Sequence, residues 1–77
     1  MTAGARRASR GQLERWEPRV RSVGAKQAEF TQKDAMPRER QHLRSLVFSA
    51  LVDRDVLEEI GLTDRRAKVY RLRGKDA

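Results

Sequence analysis

The chain of 77 residues carries 18 Lys and Arg against 11 Asp and Glu, a formal charge of +7, and it has no cysteine. That length suits one domain, and a hydrophobic content of 38% allows only a small core. The missing cysteine excludes disulfides, thiolate metal sites and cysteine nucleophiles, and no apolar run approaches the roughly 20 residues of a membrane span. No signal-peptide core is present either, so neither membrane association nor secretion is expected.

The charge is sorted along the chain. Residues 1–26 hold seven basic and two acidic side chains, residues 27–64 five and eight, and residues 65–77 six and one. Two basic ends around a mildly acidic middle point to a polyanion touched at two places.

Residues 1–11, MTAGARRASRG, contain Arg6, Arg7 and Arg10 and no acid. This composition predicts a flexible basic arm, free in solution or ordered on nucleic acid, and is also compatible with a targeting segment. The folded domain is expected over residues 12–74, with residues 75–77 as a tail. From Gln12, the positions Leu13, Trp16, Val20 and Val23 have helical spacing. Pro18 lies among them and predicts that the first helix starts near it or kinks there. Trp16 is read as a core anchor.

Thr31 followed by Asp34 fits an N-cap, with Phe30 just outside as a staple, so a short second helix is expected from Gln32. Pro37 then stops it and is placed to open a third helix over residues 38–53. There Leu43, Leu46, Val47, Ala50 and Leu51 form an apolar stripe. Arg38, Gln41, His42, Ser45 and Ser49 occupy the opposite face. Phe48 and Val52 flank that polar face and are expected to meet helix 1 or a partner, either a second copy in a weak homodimer or another protein.

VLEEI and AKVYRLR read as β-strands, with Tyr70 and Leu72 on one face of the second and Val69, Arg71 and Arg73 on the other. GLTDRR, residues 61–66, is the expected loop, where Gly61 helps the strand leave its ladder. The predicted fold class is α+β: three helices with a C-terminal β-hairpin on a two- or three-stranded antiparallel sheet.

FTQKDA, then RQHLRSLVFSALVDRDVLEEIG, then TDRRAKVYRLR resembles the winged helix-turn-helix family over Glu29 to Arg73. It departs from that pattern in two places. AMPRER replaces the usual glycine-containing turn, and Asp55 stands where the family often has glycine, a position that aspartate tolerates better than most residues. The resemblance implies a DNA-binding protein whose third helix is the recognition helix and whose hairpin is the wing.

A helix in the major groove would present Arg38, Gln41, His42 and Ser45 to base edges, with Arg40 and Arg44 at the margins. Arg65, Arg66 and Lys68 would supply phosphate or minor-groove contacts, as would Arg6, Arg7 and Arg10 in the arm. Double-stranded DNA is the expected partner and transcription regulation the expected role. The corresponding compartment is the cytoplasm, with the nucleoid, or the nucleus.

Structured RNA is the first alternative, since the chain also resembles small winged-helix proteins of the archaeal and eukaryotic ribosomal small subunit in size, basic N-terminus and hairpin. A protein–protein adaptor on the same scaffold is the second, resting on Phe48, Val52 and the acidic strand edge. No enzyme, cofactor or metal site is expected. There is no phosphate-binding glycine loop, no spaced histidine pair and no serine triad. Asp53, Asp55, Glu58 and Glu59 read as a solvated face, not a cation site.

Overall fold

In the computed structural model, which describes residues 8–73, the first helix opens at Ser9. The Ser9 hydroxyl accepts from the Gln12 amide at 3.1 Å, and the Gln12 side chain accepts from the Ser9 amide at 2.9 Å. This reciprocal pair satisfies two of the donors that a helix start leaves open. Helix α1 therefore spans Arg10–Lys26 and begins two residues before Gln12. Arg6, Arg7 and the tail 75–77 lie outside the described residues.

Pro18 neither starts α1 nor ends it. The bond it removes would have run to the carbonyl of Glu14, and both residues are exposed, so water can take that carbonyl. Trp16 and Val20 are buried on the opposite side, as core anchors. The guanidinium carbons of Arg15 and Arg19 lie 5.6 and 5.2 Å from the centre of the Trp16 ring, covering its outer side.

Strand β1 (Phe30–Thr31) leads directly into helix α2 (Gln32–Ala35). The expected cap is present: Thr31 Oγ1 accepts from the Asp34 amide at 3.2 Å, and an Asp34 carboxylate oxygen accepts from the Thr31 amide at 2.9 Å. Helix α3 spans Gln41–Asp53, three residues shorter at its start than the expected 38–53. Pro37 does not open it. It sits with Arg38 in a turn closed by the Glu39 amide on the Met36 carbonyl at 3.3 Å, so Arg38 is not helical and Arg40 is the N-cap. The fixed φ of proline suits the second position of such a turn as well as a first helical turn.

Helix α3 ends on Asp55, whose φ is 63°. Its amide donates to the Val52 carbonyl at 3.0 Å, and the Val56 amide donates to the Leu51 carbonyl at 2.9 Å. These two bonds form a Schellman motif with aspartate where glycine is usual.

Strand β2 (Leu57–Leu62) and strand β3 (Lys68–Leu72) make the hairpin, and the antiparallel sheet has the order β1-β3-β2. Glu59 pairs with Tyr70 and Gly61 with Val69, so Ile60 is an extra residue on β2. Gly61 therefore marks a bulge inside the ladder, not the exit from it, and the loop is shorter than the expected 61–66. Tyr70 is buried, whereas Arg71 is exposed and faces Glu58 across the ladder, as the alternation predicted.

The core gathers Trp16, Val20, Phe30, Ala35, Met36, Val47, Phe48, Leu51, Leu57 and Tyr70. Phe48 is 0% exposed, so of its two expected places, against helix 1 or against a partner, the partner surface is ruled out. It meets Phe30 and Tyr70 edge to face, with centroids 6.3 and 4.8 Å apart. Val52 is half-buried and packs against the same core.

Phe48→Ala is expected to cost about 3–5 kcal/mol of unfolding free energy in chemical denaturation, a core truncation rather than a weakened subunit interface. At Gly24 a Cβ would stand 2.5 Å from Leu72 Cγ and 2.6 Å from its Cδ1. Gly24→Ala adds about 1 kcal/mol of helix propensity but overpacks the α1–β3 contact by about 1–3 kcal/mol. A net decrease in stability is expected in the wild-type background, turning into an increase when Leu72 is also replaced by alanine.

Candidate nucleic-acid interface

Three pieces of the fold surround a concavity of about 760 Å³. Helix α2 contributes Gln32 and Lys33, helix α3 contributes Gln41, Arg44 and Ser45, and the hairpin contributes Thr63 to Lys68. The capping box on Thr31 sets the register of α2, which carries Gln32 and Lys33 in its first turn. On α3 the positions 41, 44 and 45 share one stripe, polar over the first turns, and that stripe runs one turn later into the buried Phe48, where the core begins.

The hairpin loop is built around Thr63. Its amide donates to the Ala67 carbonyl at 2.8 Å, and its own carbonyl accepts from the Arg66 amide at 2.8 Å. Thr63 Oγ1 accepts from the amides of Arg65 and Ala67 at 3.2 and 3.1 Å. Asp64, Arg65 and Arg66 are thereby held in a tight three-residue loop, with Arg66 at a φ of 65°. A left-handed residue after such a turn is most often glycine. Here it carries a cation.

Lys33, Arg44, Arg65, Arg66 and Lys68 line the concavity against the single acid Asp64. Lys68 stands 3.9 Å from Glu59, a long and exposed pair. Lys33, Arg44, Arg65 and Arg66 make no ion pair among the described residues. Arg44 is positioned all the same, since its Nε donates to the Glu39 carbonyl at 3.0 Å and leaves the outer guanidinium nitrogens available. Gln41 Nε2 donates to Gln32 Oε1 at 3.0 Å and to Ser45 Oγ at 2.9 Å, and Gln32 Nε2 donates to the Tyr70 hydroxyl at 3.2 Å.

Of the residues singled out in the sequence, the fold brings Gln41, Arg44, Ser45, Arg65, Arg66 and Lys68 together. Arg38 and Arg40 lie on the exposed turn before α3, and His42 is exposed on its first turn; none of the three lines the concavity. Arg10 belongs to the first turn of α1 and does not line it either. Gln32, Lys33 and Thr63 were not foreseen as part of it, although the Thr31–Asp34 cap already placed the first two on an N-terminal turn.

The acidic residues of the middle segment do not converge. Glu58 pairs with Arg71 at 3.2 Å and Glu59 with Lys68, while Asp55 terminates α3. Among the described residues there is no group of three or more acids, histidines or cysteines that could hold a metal ion, and no helix is long and apolar enough to cross a membrane.

The left-handed residue at the loop tip yields a stability test. Arg66→Gly is expected to raise stability by about 0.5–1 kcal/mol, because glycine has no Cβ to clash in that conformation. Arg66→Ala retains the clash and should leave the melting temperature close to that of the wild type. Comparison with protein-family models, with curated proteins and with solved structures finds no match to this chain.

Proposed function

We propose that this chain is a small winged-helix protein that binds duplex DNA in transcription regulation, with α3 toward the major groove and the β2–β3 hairpin as the wing. The observation that carries this reading is the concavity in which Lys33, Arg44, Arg65, Arg66 and Lys68 surround Gln41 and Ser45. Five cations and one acid around a polar helix face favour a ligand that presents phosphates and hydrogen-bonding edges together. The element order, with three helices before a hairpin and a sheet ordered β1-β3-β2, is compatible with a winged-helix layout.

The major groove admits an α-helix, and Gln41 and Ser45 stand at the N-terminal end of α3, where base edges are read. Arg65 and Arg66 at the hairpin tip would take phosphates to one side of the helix. Arg38, Arg40 and His42 would meet the backbone beside the start of α3. Phe48 lends no support to an adaptor role, because its ring is enclosed by the chain's own core.

Titration of duplex DNA at several salt concentrations tests this reading. Replacing Arg65 and Arg66 with alanine should weaken all duplexes about equally. The slope of log affinity against log salt should become shallower by roughly 0.9 for each phosphate that is no longer neutralised. No duplex binding at low salt would remove the reading. Displacement of bound duplex by an equal concentration of structured RNA would replace DNA with RNA as the partner.

A further inference from the structure

Gln41 is tied down more firmly than an exposed glutamine needs to be. Its Nε2 reaches Gln32 Oε1 at 3.0 Å and Ser45 Oγ at 2.9 Å. Gln32 is half-buried and holds the Tyr70 hydroxyl at 3.2 Å. Tyr70 is itself 4% exposed, paired with Phe30 and Glu59 in the sheet and packed on the Phe48 ring. One amide thus tethers the α3 glutamine to the aromatic core.

The chemistry of the amide limits what Gln41 can still offer. A side-chain amide nitrogen carries two hydrogens, and Gln41 Nε2 has two acceptors within hydrogen-bond distance in the protein, one for each. The remaining polar atom is Oε1, which accepts no hydrogen bond among the described residues. Gln41 lines the concavity as an acceptor without a donor.

Resting on the duplex-DNA reading above, we propose that Gln41 selects bases that present an amino group in the major groove, adenine or cytosine, at one position of the contacted strand. Gln32 and Ser45 are the positioning residues that impose this choice. An untethered glutamine can pair with adenine through two bonds, accepting from N6 and donating to N7. With the donor occupied, only the bond to an amino group remains. Adenine N6 and cytosine N4 both supply it, whereas guanine O6 and thymine O4 are acceptors and face Oε1 unfavourably. The outcome is a two-base preference where a free glutamine would read one base.

Selection of bound sequences from a random duplex library tests this with the wild type, Gln32→Ala and Ser45→Ala. Each substitution removes one acceptor and releases one Gln41 hydrogen. The wild type should enrich adenine and cytosine alike over guanine and thymine at one position. Both variants should narrow the preference, with adenine overtaking cytosine by about tenfold, the scale of a bidentate contact. Ser45→Ala keeps a good helix former in α3, so the test survives a failure of Gln32→Ala to fold. Gln41→Ala should erase the preference at that position.

A wild type that selects adenine alone, selects guanine or thymine, or shows no base preference overturns the inference and leaves duplex binding standing. So do variants that fail to narrow the preference. A wild type that selects no duplex removes the DNA reading itself, and this inference with it.

Discussion

The Phe48 ring is the contact on which the arrangement depends. It is fully buried, 4.8 Å from Tyr70 and 6.3 Å from Phe30 between centroids, and those two residues face each other across β1 and β3. One side chain therefore fastens α3 to two strands at once. Aromatic rings bury about 150–250 Å² each, which is a large share of a core this small. The other walls of the concavity follow from the same three rings. Phe30 leads into Thr31, which caps α2, and Tyr70 sits in β3, from which the hairpin loop extends. The cations come together because they are carried on elements that already meet inside.

Strand β2 is bounded by two left-handed residues that are not glycine, and the two differ in what they return to the fold. Asp55 completes a doubly hydrogen-bonded helix end, so its backbone cost, of order 1 kcal/mol, is offset where it arises. Arg66 lies in an equally well-bonded loop, but its side chain adds no ion pair to the fold among the described residues. Non-glycine residues in this conformation tend to persist at sites of function. Arg66 lies in the lining of the concavity.

Much of this was legible in the sequence where a local rule had no competitor. The Thr31 cap and the two faces of β3 each rest on one short-range argument, whereas the left-handed Asp55 was reached only through the resemblance. Phe48 was misplaced because a single apolar stripe assumes one packing surface, whereas α3 packs against α1, α2 and β2 together. Pro37 was misplaced because the start of a helix and the second position of a turn demand the same φ. Pro18 lies within α1 rather than at its start because its missing bond falls on the solvent side, where it costs least. The Ser9–Gln12 box was visible as S-x-x-Q but lay inside a segment whose composition reads as an arm. Strand β1 has two residues, too few to show a period. In the site, charge marked Arg65, Arg66 and Lys68. The four-residue α2 offered no stripe by which to orient Gln32 and Lys33.

The hairpin also sorts its charges along its length. On the shaft, Glu58 faces Arg71 and Lys68 reaches diagonally toward Glu59, so acids and bases largely cancel. At the tip, Arg65 and Arg66 outnumber Asp64. The hairpin thus carries its net charge at the tip and little on the shaft. A polyanion would pull on it there rather than along its length. The range of that pull is set by the ionic atmosphere, about 8 Å at physiological salt, so it would act only in the last moments of an encounter.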